Sequence, residues 1–412
     1  MRARILASAI VLLVATVTVH AEPFAYVVNG DSATVSVIDT AGNAIIATVP
    51  LGIEPQEVAI TPDGAFAYVT NIFDFDNDNV LIIDTAANAV TTSVGVGAVP
   101  RGIAITPDGA FAYVTSAGDN NVNVVDIASN TVTTTVAVGD APYDVAITPD
   151  GAFAYVTNNY TNVSVIDTAS NTVTATVTVG LSSIGVAITP DGNFAYVTNF
   201  DSDDVSVIDI ASNAVVATVP VGEEPKGVAI TPDSAFAYVT NIRSNNVSVI
   251  DTASNVVVAA VPVGIFPIDV AITPDGAFAY VTNAGSDDVS VIDTASNEVT
   301  TTVSVDESPI AVAIAPLRGD ADADGVVDAR DQCPATAVPE AAPMSGKLGQ
   351  AHYALRSGVT FSMGPKAKTI FTTTATAGCS CDQIVAALGL GKGSLKFGCS
   401  AGVVKAWIRG LP

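Results

Sequence analysis

The long central part of this 412-residue sequence has almost no basic residues. Residues 22–316 contain three, Arg101, Lys226 and Arg243, against 34 aspartates and glutamates, and the formal net charge of the whole chain is −26. A surface of this kind repels polyanions, which excludes nucleic acid and anionic membranes as partners of this part of the chain.

Histidine and cysteine are missing from the same part. The two histidines are His20 and His352, and all four cysteines lie after residue 332. Residues 22–316 therefore cannot supply a Ser-His-Asp triad, a histidine-ligated metal or a haem thioether. A carboxylate-only active site is the catalytic option that remains, and no pair of acids stands out for it because acids occur in most of the loops.

The amino terminus has the pattern of an export signal. Arg2 and Arg4 precede an apolar run, Ile5–Val19, and residues 19–21 (VHA) fit the small-x-small pattern before a cleavage site. We therefore predict a secretory signal peptide over residues 1–21 and a secreted, periplasmic or cell-surface protein without an integral membrane segment after cleavage. A single membrane anchor is the alternative, although the apolar run is short for a span.

The tetrapeptide FAYV recurs through the central part at a nearly constant spacing. Successive copies lie 42, 45, 42, 41, 42 and 42 residues apart. One unit, PYDVAITPDGAFAYVTNNYTNVSVIDTASNTVTATVTV, contains four segments rich in β-branched and aromatic residues, separated by turn residues, which predicts four antiparallel strands. A fixed period of this length in an all-strand pattern predicts a β-propeller. The copies begin at Phe24, Phe66, Phe111, Phe153, Phe194, Phe236 and Phe278.

The first and last units are each incomplete. Phe24 has no inner-strand sequence before it, whereas Ser308–Pro316 (SPIAVAIAP) is an inner-strand sequence with no FAYV after it. We predict that Ala311–Ala315 pairs beside Phe24–Val28 in one blade and closes the ring as a latch. The predicted fold is therefore all-β: a seven-bladed propeller with four-stranded blades over residues 22–316, followed by a small C-terminal module.

The repeat also resembles a known family. PDGAFAYVTN, followed by VSVIDT and TVTATVTVG, is similar to the YVTN family of β-propeller repeats, known from archaeal surface-layer proteins and bacterial secreted proteins. The resemblance covers residues 24–316 and implies a seven-bladed propeller. It does not imply one activity, because this scaffold hosts binding modules, structural envelope proteins and some enzymes. Enzymatic propellers of this architecture, such as lactonases and haem- or copper-bearing proteins, usually depend on histidine.

The links between units vary, whereas the TPDG and IDTASN turns hardly change, so a binding site is expected at the links. The residues at one repeat position, in the link just before each inner strand, are predicted to form a ring around the mouth of the central channel. They are Gln56, Arg101, Tyr143, Ile184, Lys226, Ile268 and Ile310, and three of them are followed by an acid, Glu57, Asp144 or Asp269. Neutral variation in permissive loops is the alternative. The candidates for a small-ligand or peptide site are Gln56, Arg101, Tyr143, Asp144, Lys226 and Asp269.

The unit with the 45-residue spacing has the longest loop between its second and third strands. Asp74, Asp76 and Asp78 alternate along this loop, and alternate carboxylates are suited to chelating a hard cation. The alternative is solvated charge that keeps sheet edges from pairing with other chains.

Residues 319–334, GDADADGVVDARDQCP, match a calcium-binding loop. With Asp320 as position 1, carboxylates fall at positions 1, 3, 5, 9 and 12, a glycine at 6 and a backbone carbonyl at 7, although position 12 is Asp rather than Glu. The loop with its following cysteine resembles a thrombospondin type 3 repeat, which implies calcium as a structural ligand; a solvated acidic linker is the alternative. The predicted calcium ligands are Asp320, Asp322, Asp324, Val326, Asp328 and Asp331.

The remainder of the chain is predicted to be a separate unit. After residue 332 there are eight lysines and arginines against two acids, and this change of charge predicts a boundary. We assign residues 317–334 to the calcium loop, 335–345 to a linker and 346–412 to a small basic module. With an export signal, four cysteines predict two disulfides, and Cys379 and Cys381 are too close to pair with each other. This leaves Cys333–Cys379 with Cys381–Cys399, or Cys333–Cys381 with Cys379–Cys399.

These features predict a secreted or cell-envelope propeller that acts as a non-catalytic binding or structural module. Its expected partner is a cell-envelope or extracellular protein or glycan, and calcium is the predicted cofactor. The alternative is an extracytoplasmic enzyme of lactonase or lyase type with its site on the variable rim. A channel-mouth pocket that holds Arg101, Lys226, Tyr143 and Asp144 within mutual reach favours the enzyme, and a shallow mouth without convergent polar groups favours the binding module.

Overall fold

A computed structural model describes residues 23–52, 54–72 and 78–316, together with four short strands between residues 352 and 400. Strands β1 to β28 form seven four-stranded antiparallel sheets, and their inner strands contact one another in a closed sequence. The predicted all-β, seven-bladed propeller with four-stranded blades is confirmed. Within the residues described there is no helix long and apolar enough to cross a membrane.

The first four blades have the following strands. Blade 1 contains β1 (Phe24–Asn29), β2 (Thr34–Asp39), β3 (Ala44–Pro50) and, from the other end of the propeller sequence, β28 (Pro309–Ile314). Blade 2 contains β4 (Glu54–Ile60), β5 (Phe66–Ile72), β6 (Asn79–Asp84) and β7 (Ala89–Gly95). Blade 3 contains β8 (Pro100–Ile105), β9 (Phe111–Ser116), β10 (Asn121–Asp126) and β11 (Thr131–Ala137). Blade 4 contains β12 (Pro142–Ile147), β13 (Phe153–Asn158), β14 (Asn162–Asp167) and β15 (Thr172–Thr178).

The other three blades repeat this order. Blade 5 contains β16 (Ser183–Ile188), β17 (Phe194–Asn199), β18 (Asp204–Asp209) and β19 (Ala214–Pro220). Blade 6 contains β20 (Pro225–Ile230), β21 (Phe236–Asn241), β22 (Asn246–Asp251) and β23 (Val256–Pro262). Blade 7 contains β24 (Pro267–Ile272), β25 (Phe278–Asn283), β26 (Asp288–Asp293) and β27 (Glu298–Ser304).

The second strand of each blade is buried on both faces. In β13, Ala154 and Val156 pack with Tyr113 of blade 3, whereas Tyr155 packs with Val186 of blade 5. Since successive side chains of a strand point to opposite faces, one strand fills two inter-blade cores. This explains why the FAYV segment is continuously apolar instead of alternating with polar residues.

The tyrosine of each FAYV segment joins its blade to the next. Each hydroxyl donates a hydrogen bond to the Oδ1 atom of an asparagine in the turn between the third and fourth strands of the following blade, at 2.6–3.2 Å. Each of these asparagines has a positive φ, between 47° and 56°, which asparagine tolerates in tight turns. The pairs are Tyr26–Asn88, Tyr68–Asn130, Tyr113–Asn171, Tyr155–Asn213, Tyr196–Asn255, Tyr238–Asn297 and Tyr280–Asn43.

The threonine directly after each of these two FAYV segments, Thr115 and Thr157, positions the inner strands at the channel. Thr157 accepts a hydrogen bond from the backbone nitrogen of Asp144 at 3.0 Å and donates one to the carbonyl of Ile184 in the next blade at 2.5 Å. Thr115 does the same with the nitrogen of Gly102 and the carbonyl of Tyr143, both at 2.9 Å. The repeat therefore fixes how each link residue enters the channel.

Blade 1 combines the two ends of the propeller sequence. Strand β28 pairs antiparallel with β1, so that Ala311 lies opposite Val28 and Ile314 opposite Ala25. The backbone nitrogen of Ala315 also donates to the carbonyl of Phe24 at 2.7 Å. The innermost strand of this blade is thus the last strand of the propeller in the sequence.

Four short strands are described beyond the propeller. They form an antiparallel sheet in the order β31-β30-β29-β32. Their bounds are β29 (His352–Arg356), β30 (Thr360–Ser362), β31 (Ile370–Thr372) and β32 (Cys399–Ser400).

Candidate functional site

A two-residue bulge at the start of the inner strand of blades 2 to 7 directs side chains into the channel, and in blade 1 the bulge is the single residue Ile310. In blade 4, Pro142 pairs with Asn158 and Val145 with Val156, so that Tyr143 and Asp144 have no partner in the ladder. Bulges of this kind redirect side chains and often lie beside binding sites. Blades 2, 3, 5, 6 and 7 have the same register shift at the same place. The bulge residues are the link residues that the repeat alignment places at the mouth.

These residues line one cavity of about 200 Å³. The cavity lies at the end of the propeller where the links between blades lie, and this end is here called the mouth rim. All seven residues of the predicted ring contribute to it, as do Glu57 and the two aspartates among the predicted candidates. Glu57 is not among the candidate ligand-binding residues predicted from the sequence. It occupies the same repeat position as Asp144, and this equivalence was the signal that could have identified it. The remaining wall is apolar and consists of Ile184, Ile268 and Ile310, with Val228 and three glycines.

The two cations of the cavity meet at one aromatic ring. The guanidinium carbon of Arg101 lies 5.3 Å from the ring centre of Tyr143, and the Nζ atom of Lys226 lies 6.0 Å from it. Both distances are in the range of cation–π contacts. Arg101 Nη1 also donates to Gln56 Oε1 at 3.0 Å, while Gln56 Nε2 donates to the carbonyl of Pro55. Gln56 and Tyr143 therefore hold the guanidinium in place.

Neither cation of the cavity forms a salt bridge with another residue described in the structure. Among the described residues, the ion pair that the structure shows joins Arg243 Nε to Glu224 Oε1 at 2.5 Å, outside the cavity. The Arg243 side chain is 66% exposed. Arg101 and Lys226 are both only partly exposed. Two of the three basic residues in a strongly acidic propeller are thus directed into one cavity, where neither forms a salt bridge with a described carboxylate.

The two aspartates of the cavity act as clamps between blades. Asp144 Oδ1 accepts a hydrogen bond from the nitrogen of Val145 at 2.7 Å, and its Oδ2 accepts one from Val186 of the next blade at 3.0 Å. Asp269 Oδ2 accepts in the same way from Val312 of the next blade at 2.9 Å. These carboxylates connect neighbouring inner strands, a role that sequence alone did not indicate.

A glycine in the preceding blade makes room for each clamp. A Cβ atom on Gly102 would lie 2.6 Å from the Cα atom of Asp144, and one on Gly227 would lie 2.7 Å from the Cα atom of Asp269. Real Cβ atoms do not approach backbone so closely, so glycine is required at both places. The sequence signal, recognisable once the structure is known, is a glycine that precedes an aspartate by one repeat.

Burial raises the pKa of all three carboxyl groups in the cavity. It raises the pKa of Asp144 to about 7, against the opposing effect of the hydrogen bonds from Val186 and Val145. It raises the pKa of Asp269 to about 6, opposed by the hydrogen bond from Val312 and by the charge of Lys226. The pKa of Glu57 lies well above its ordinary value, because burial and then the charges of Asp269 and Asp144 raise it. The cavity therefore contains acids that titrate near neutral pH.

The structure describes one residue of the predicted second cation site. Asp78 is buried, and its Oδ2 atom accepts a hydrogen bond from the backbone nitrogen of Val99 at 2.6 Å; Asp74 and Asp76 lie outside the described residues. At the same repeat position of four other blades, a side-chain Oδ1 atom likewise accepts a hydrogen bond from a backbone nitrogen of the following link. These residues are Asn120, Asp203, Asn245 and Asp287. Some polar residues of these loops therefore support the backbone of the mouth rim.

The remaining predicted sites fall outside the part of the chain that the structure describes. These are the calcium loop at residues 320–331 and the cysteines Cys333, Cys379 and Cys381; Cys399 lies in β32, and its side chain is not described. Within the described ranges, no cluster of three or more histidine, cysteine or acidic side chains is arranged to hold a metal ion.

Comparisons with known proteins identify the fold. A family model described as a YNCE-like β-propeller matches residues 3–316. No curated protein sequence matches the chain significantly. Among solved structures, hydrazine synthase of Kuenenia stuttgartiensis is similar with a TM-score of 0.58 at 26% identity, over 64% of this chain and 90% of that chain.

Two further structures share the fold at lower identity. A functionally unknown protein from Desulfotomaculum acetoxidans DSM 771 has a TM-score of 0.61 at 19% identity, over 71% of this chain and 98% of that chain. Dihydro-heme d1 dehydrogenase NirN, in complex with DHE, has a TM-score of 0.55 at 17% identity, over 70% of this chain and 74% of that chain. At these identities the likeness concerns the fold alone.

Proposed function

The chain belongs to the YNCE-like β-propeller family, and on this scaffold we propose that it is a secreted or cell-envelope binding module whose ligand enters the channel mouth. The observation that carries this proposal is the convergence of Arg101 and Lys226 on the ring of Tyr143, where neither forms a salt bridge with a residue that the structure describes. Donor groups of Arg101 and Lys226 that no described carboxylate engages directly are available to a ligand. The partner is an extracellular or envelope protein or glycan, of which a small projecting group enters the cavity.

The size of the cavity limits what enters it. Its volume of about 200 Å³ is below the roughly 300–1,000 Å³ of pockets that enclose drug-sized ligands. The bound group is therefore small. The polar side chains of Gln56, Arg101, Tyr143 and Lys226 orient this group, and Ile184, Ile268 and Ile310 cover its carbon skeleton.

A fragment screen tests this function directly. Small fragments of anionic, cationic and neutral type are screened by ligand-observed NMR against the full-length protein and against Ile268→Trp, which fills the cavity from its apolar wall. We expect at least one class to bind the protein and to lose binding to I268W. Binding that survives the filled cavity, or no binding by any class, would contradict the proposed site.

We further propose two structural roles, which concern the ring and the tail. The pairing of β28 with β1 acts as the latch that closes the ring of YVTN-type repeats. The thrombospondin type 3-like loop at residues 320–331 binds calcium and forms a rigid joint to a disulfide-bonded tail. The loop is tested by calcium titration with protease: we expect millimolar calcium to protect the tail from cleavage, and Asp322→Asn with Asp324→Asn to remove the protection.

An enzymatic function of lactonase or lyase type is the second candidate. It is favoured by the arrangement that the sequence analysis names for an enzyme, since Arg101, Tyr143, Asp144 and Lys226 line one cavity. It is also favoured by the pKa of Asp144, raised to about 7 as a general base at neutral pH requires. Both oxygens of Asp144, however, already accept backbone hydrogen bonds, Oδ1 from its neighbour Val145 and Oδ2 from Val186 of the next blade, which favours the binding role. Lactone hydrolysis followed by proton release, and β-elimination followed by the absorbance of the unsaturated product, test it. Turnover that Asp144→Asn removes would establish the enzyme.

A further inference from the structure

We propose that the group that enters the channel mouth is a small organic anion with two acidic functions, one held by Arg101 and the other by Lys226 on either side of the binding position beside Tyr143. This inference rests on the function proposed above, because it names the chemistry of the ligand at the same site.

The distribution of charge is the first argument. Residues 22–316 contain three basic residues among 34 acids, and two of the three line this single cavity. Arg243, in contrast, forms an ion pair with Glu224 at 2.5 Å on the exposed surface. A charge that is partly removed from water and forms no salt bridge with the described residues is incompletely compensated, although the charge of Lys226 acts on Glu57 and Asp269. An anionic ligand would provide a direct partner.

The geometry of the two cations is the second argument. Arg101 donates one N–H hydrogen bond to Gln56 at 3.0 Å. The other N–H donors of its planar guanidinium are able to bind a carboxylate in a bidentate manner. Lys226 supplies a compact point charge, and its Nζ atom lies 6.0 Å from the centre of the ring that Arg101 approaches to 5.3 Å. Two cations beside one ring fit two acidic groups on one small molecule.

The carboxylates of the cavity do not make it a site for a cation. Asp144 Oδ2 and Asp269 Oδ2 accept hydrogen bonds from backbone nitrogens of neighbouring strands at 3.0 and 2.9 Å, and Asp144 Oδ1 accepts one from Val145 of its own strand at 2.7 Å. A cationic ligand would meet Arg101 and Lys226 in the same cavity and be repelled. The apolar wall of Ile184, Ile268 and Ile310 suits the hydrocarbon part of an organic anion better than it suits an inorganic ion.

The first test compares succinate with butyrate, which has the same number of carbons and one acidic group. Isothermal titration of the full-length protein at pH 7 and low salt is the measurement. We expect succinate to bind at least about tenfold more tightly, because a second charge-assisted hydrogen bond contributes roughly that factor. Equal affinities, or no binding of succinate, would overturn the proposal.

The second test uses charge-removing variants with a matched control. Arg101→Gln and Lys226→Gln should each weaken succinate binding about tenfold and bring it to the level of butyrate. Arg243→Gln removes the same charge from the exterior and should leave the affinity unchanged. Melting temperatures of the three variants show that each is folded. An equal loss of affinity in R243Q would show a general charge effect and would contradict the proposal.

The third test uses the acids beside the site. Ethane-1,2-disulfonate keeps both charges over the whole pH range, so any change in its affinity comes from the protein. As the pH falls from 7 to 5 the carboxyl groups of the cavity take up protons and repel an anion less, and its affinity should rise. A constant or falling affinity would overturn the proposal. The titratable groups that line the cavity are Glu57, Arg101, Tyr143, Asp144, Lys226 and Asp269.

Failure of this proposal can be distinguished from failure of the binding function. If neutral or cationic fragments bind and I268W removes their binding, while both dianions fail, the mouth is a ligand site of another chemistry. If no fragment of any class binds, both proposals are wrong.

Discussion

The two rims of the propeller use the same residue, aspartate, in opposite ways. On the rim formed by the TPDG and IDTASN turns, here called the turn rim, the hydroxyl of Thr148 donates to Asp150 Oδ1 at 2.6 Å, and such bonds lower the pKa of the carboxyl. At the mouth rim, burial raises the pKa of Asp144 to about 7. One environment stabilises the ionised carboxylate and the other opposes it.

The difference lies in where the partners come from. On the turn rim they are near in sequence, as the pair Thr148 and Asp150 shows, and Ala152 donates to the same oxygen at 3.0 Å. At the mouth rim Asp144 bonds Val186, 42 residues away in the next blade. The turn rim is therefore a set of nearly identical local motifs, whereas the mouth exists only when the ring is assembled.

Deleting residues 308–316 is expected to have the largest effect. The deletion removes β28, the partner of β1 in blade 1, so the ring opens and the mouth loses Ile310. We expect a large fall in melting temperature and a larger hydrodynamic radius, measured by circular dichroism and size-exclusion chromatography. A chain that ends at Leu317 is the control and should melt like the full-length propeller. A deletion variant with unchanged melting would disprove the latch.

Gly227→Ala at the mouth rim is expected to have the next largest effect. The new Cβ atom would lie 2.7 Å from the Cα atom of Asp269, which is backbone and cannot move aside. Overpacking of this kind costs about 1–3 kcal/mol of unfolding free energy. Gly95→Ala is the matched control, because no atom lies within 4 Å of its Cβ position. Denaturant unfolding measures both, and equal stability of the two variants would contradict the clamp packing.

The pH dependence of stability should distinguish the two rims. Asp144 and Asp269 bind protons more tightly in the folded chain, with pKa values of about 7 and about 6, so their effect is to lower stability as the pH rises from about 4 to 7. On the turn rim the pKa of Asp150 is lowered, mainly by its hydrogen bond from Thr148, so its stabilisation is lost as the pH falls below about 4.

Two variants separate these contributions in a series of melting temperatures against pH. Asp144→Asn should make the profile shallower between pH 4 and 7, where the contribution of Asp269 remains, and leave the acid limb unchanged. Asp150→Asn should make the acid limb slightly shallower, because equivalent aspartates such as Asp108 and Asp191 also have lowered pKa values, and leave the neutral range unchanged. A neutral-range slope that is unchanged in D144N would show that the raised pKa of this clamp does not contribute to it.

Gly151→Ser on the turn rim is expected to have the smallest effect. Gly151 has a φ of +72°, and the equivalent residue of blade 6, Ser234, has a φ of +60°, so the fold accepts serine in this turn. The cost should not exceed about 1 kcal/mol, measured by denaturant unfolding. A loss as large as that of G227A would show that the turn rim is as constrained as the mouth.

Much of the fold was predictable because its determinants are local and repeated. The period of FAYV predicted the number of blades, the TPDG and IDTASN turns predicted the strand boundaries, and the odd ends at Phe24 and Ser308 predicted a shared blade. The seven positions around the mouth followed from aligning the repeats. Each of these inferences needs only neighbouring residues or the repeat position of a residue.

The sequence by itself determined the propeller, the acidic surface and the residues that face the mouth, because β-propensity, turn chemistry and repeat phase are properties of short segments. The tertiary structure alone decided that Arg101 and Lys226 meet at Tyr143, that Asp144 and Asp269 clamp neighbouring blades, and that these acids have raised pKa values. Burial and contacts between residues 42 or more positions apart arise only when the seven blades close around the channel.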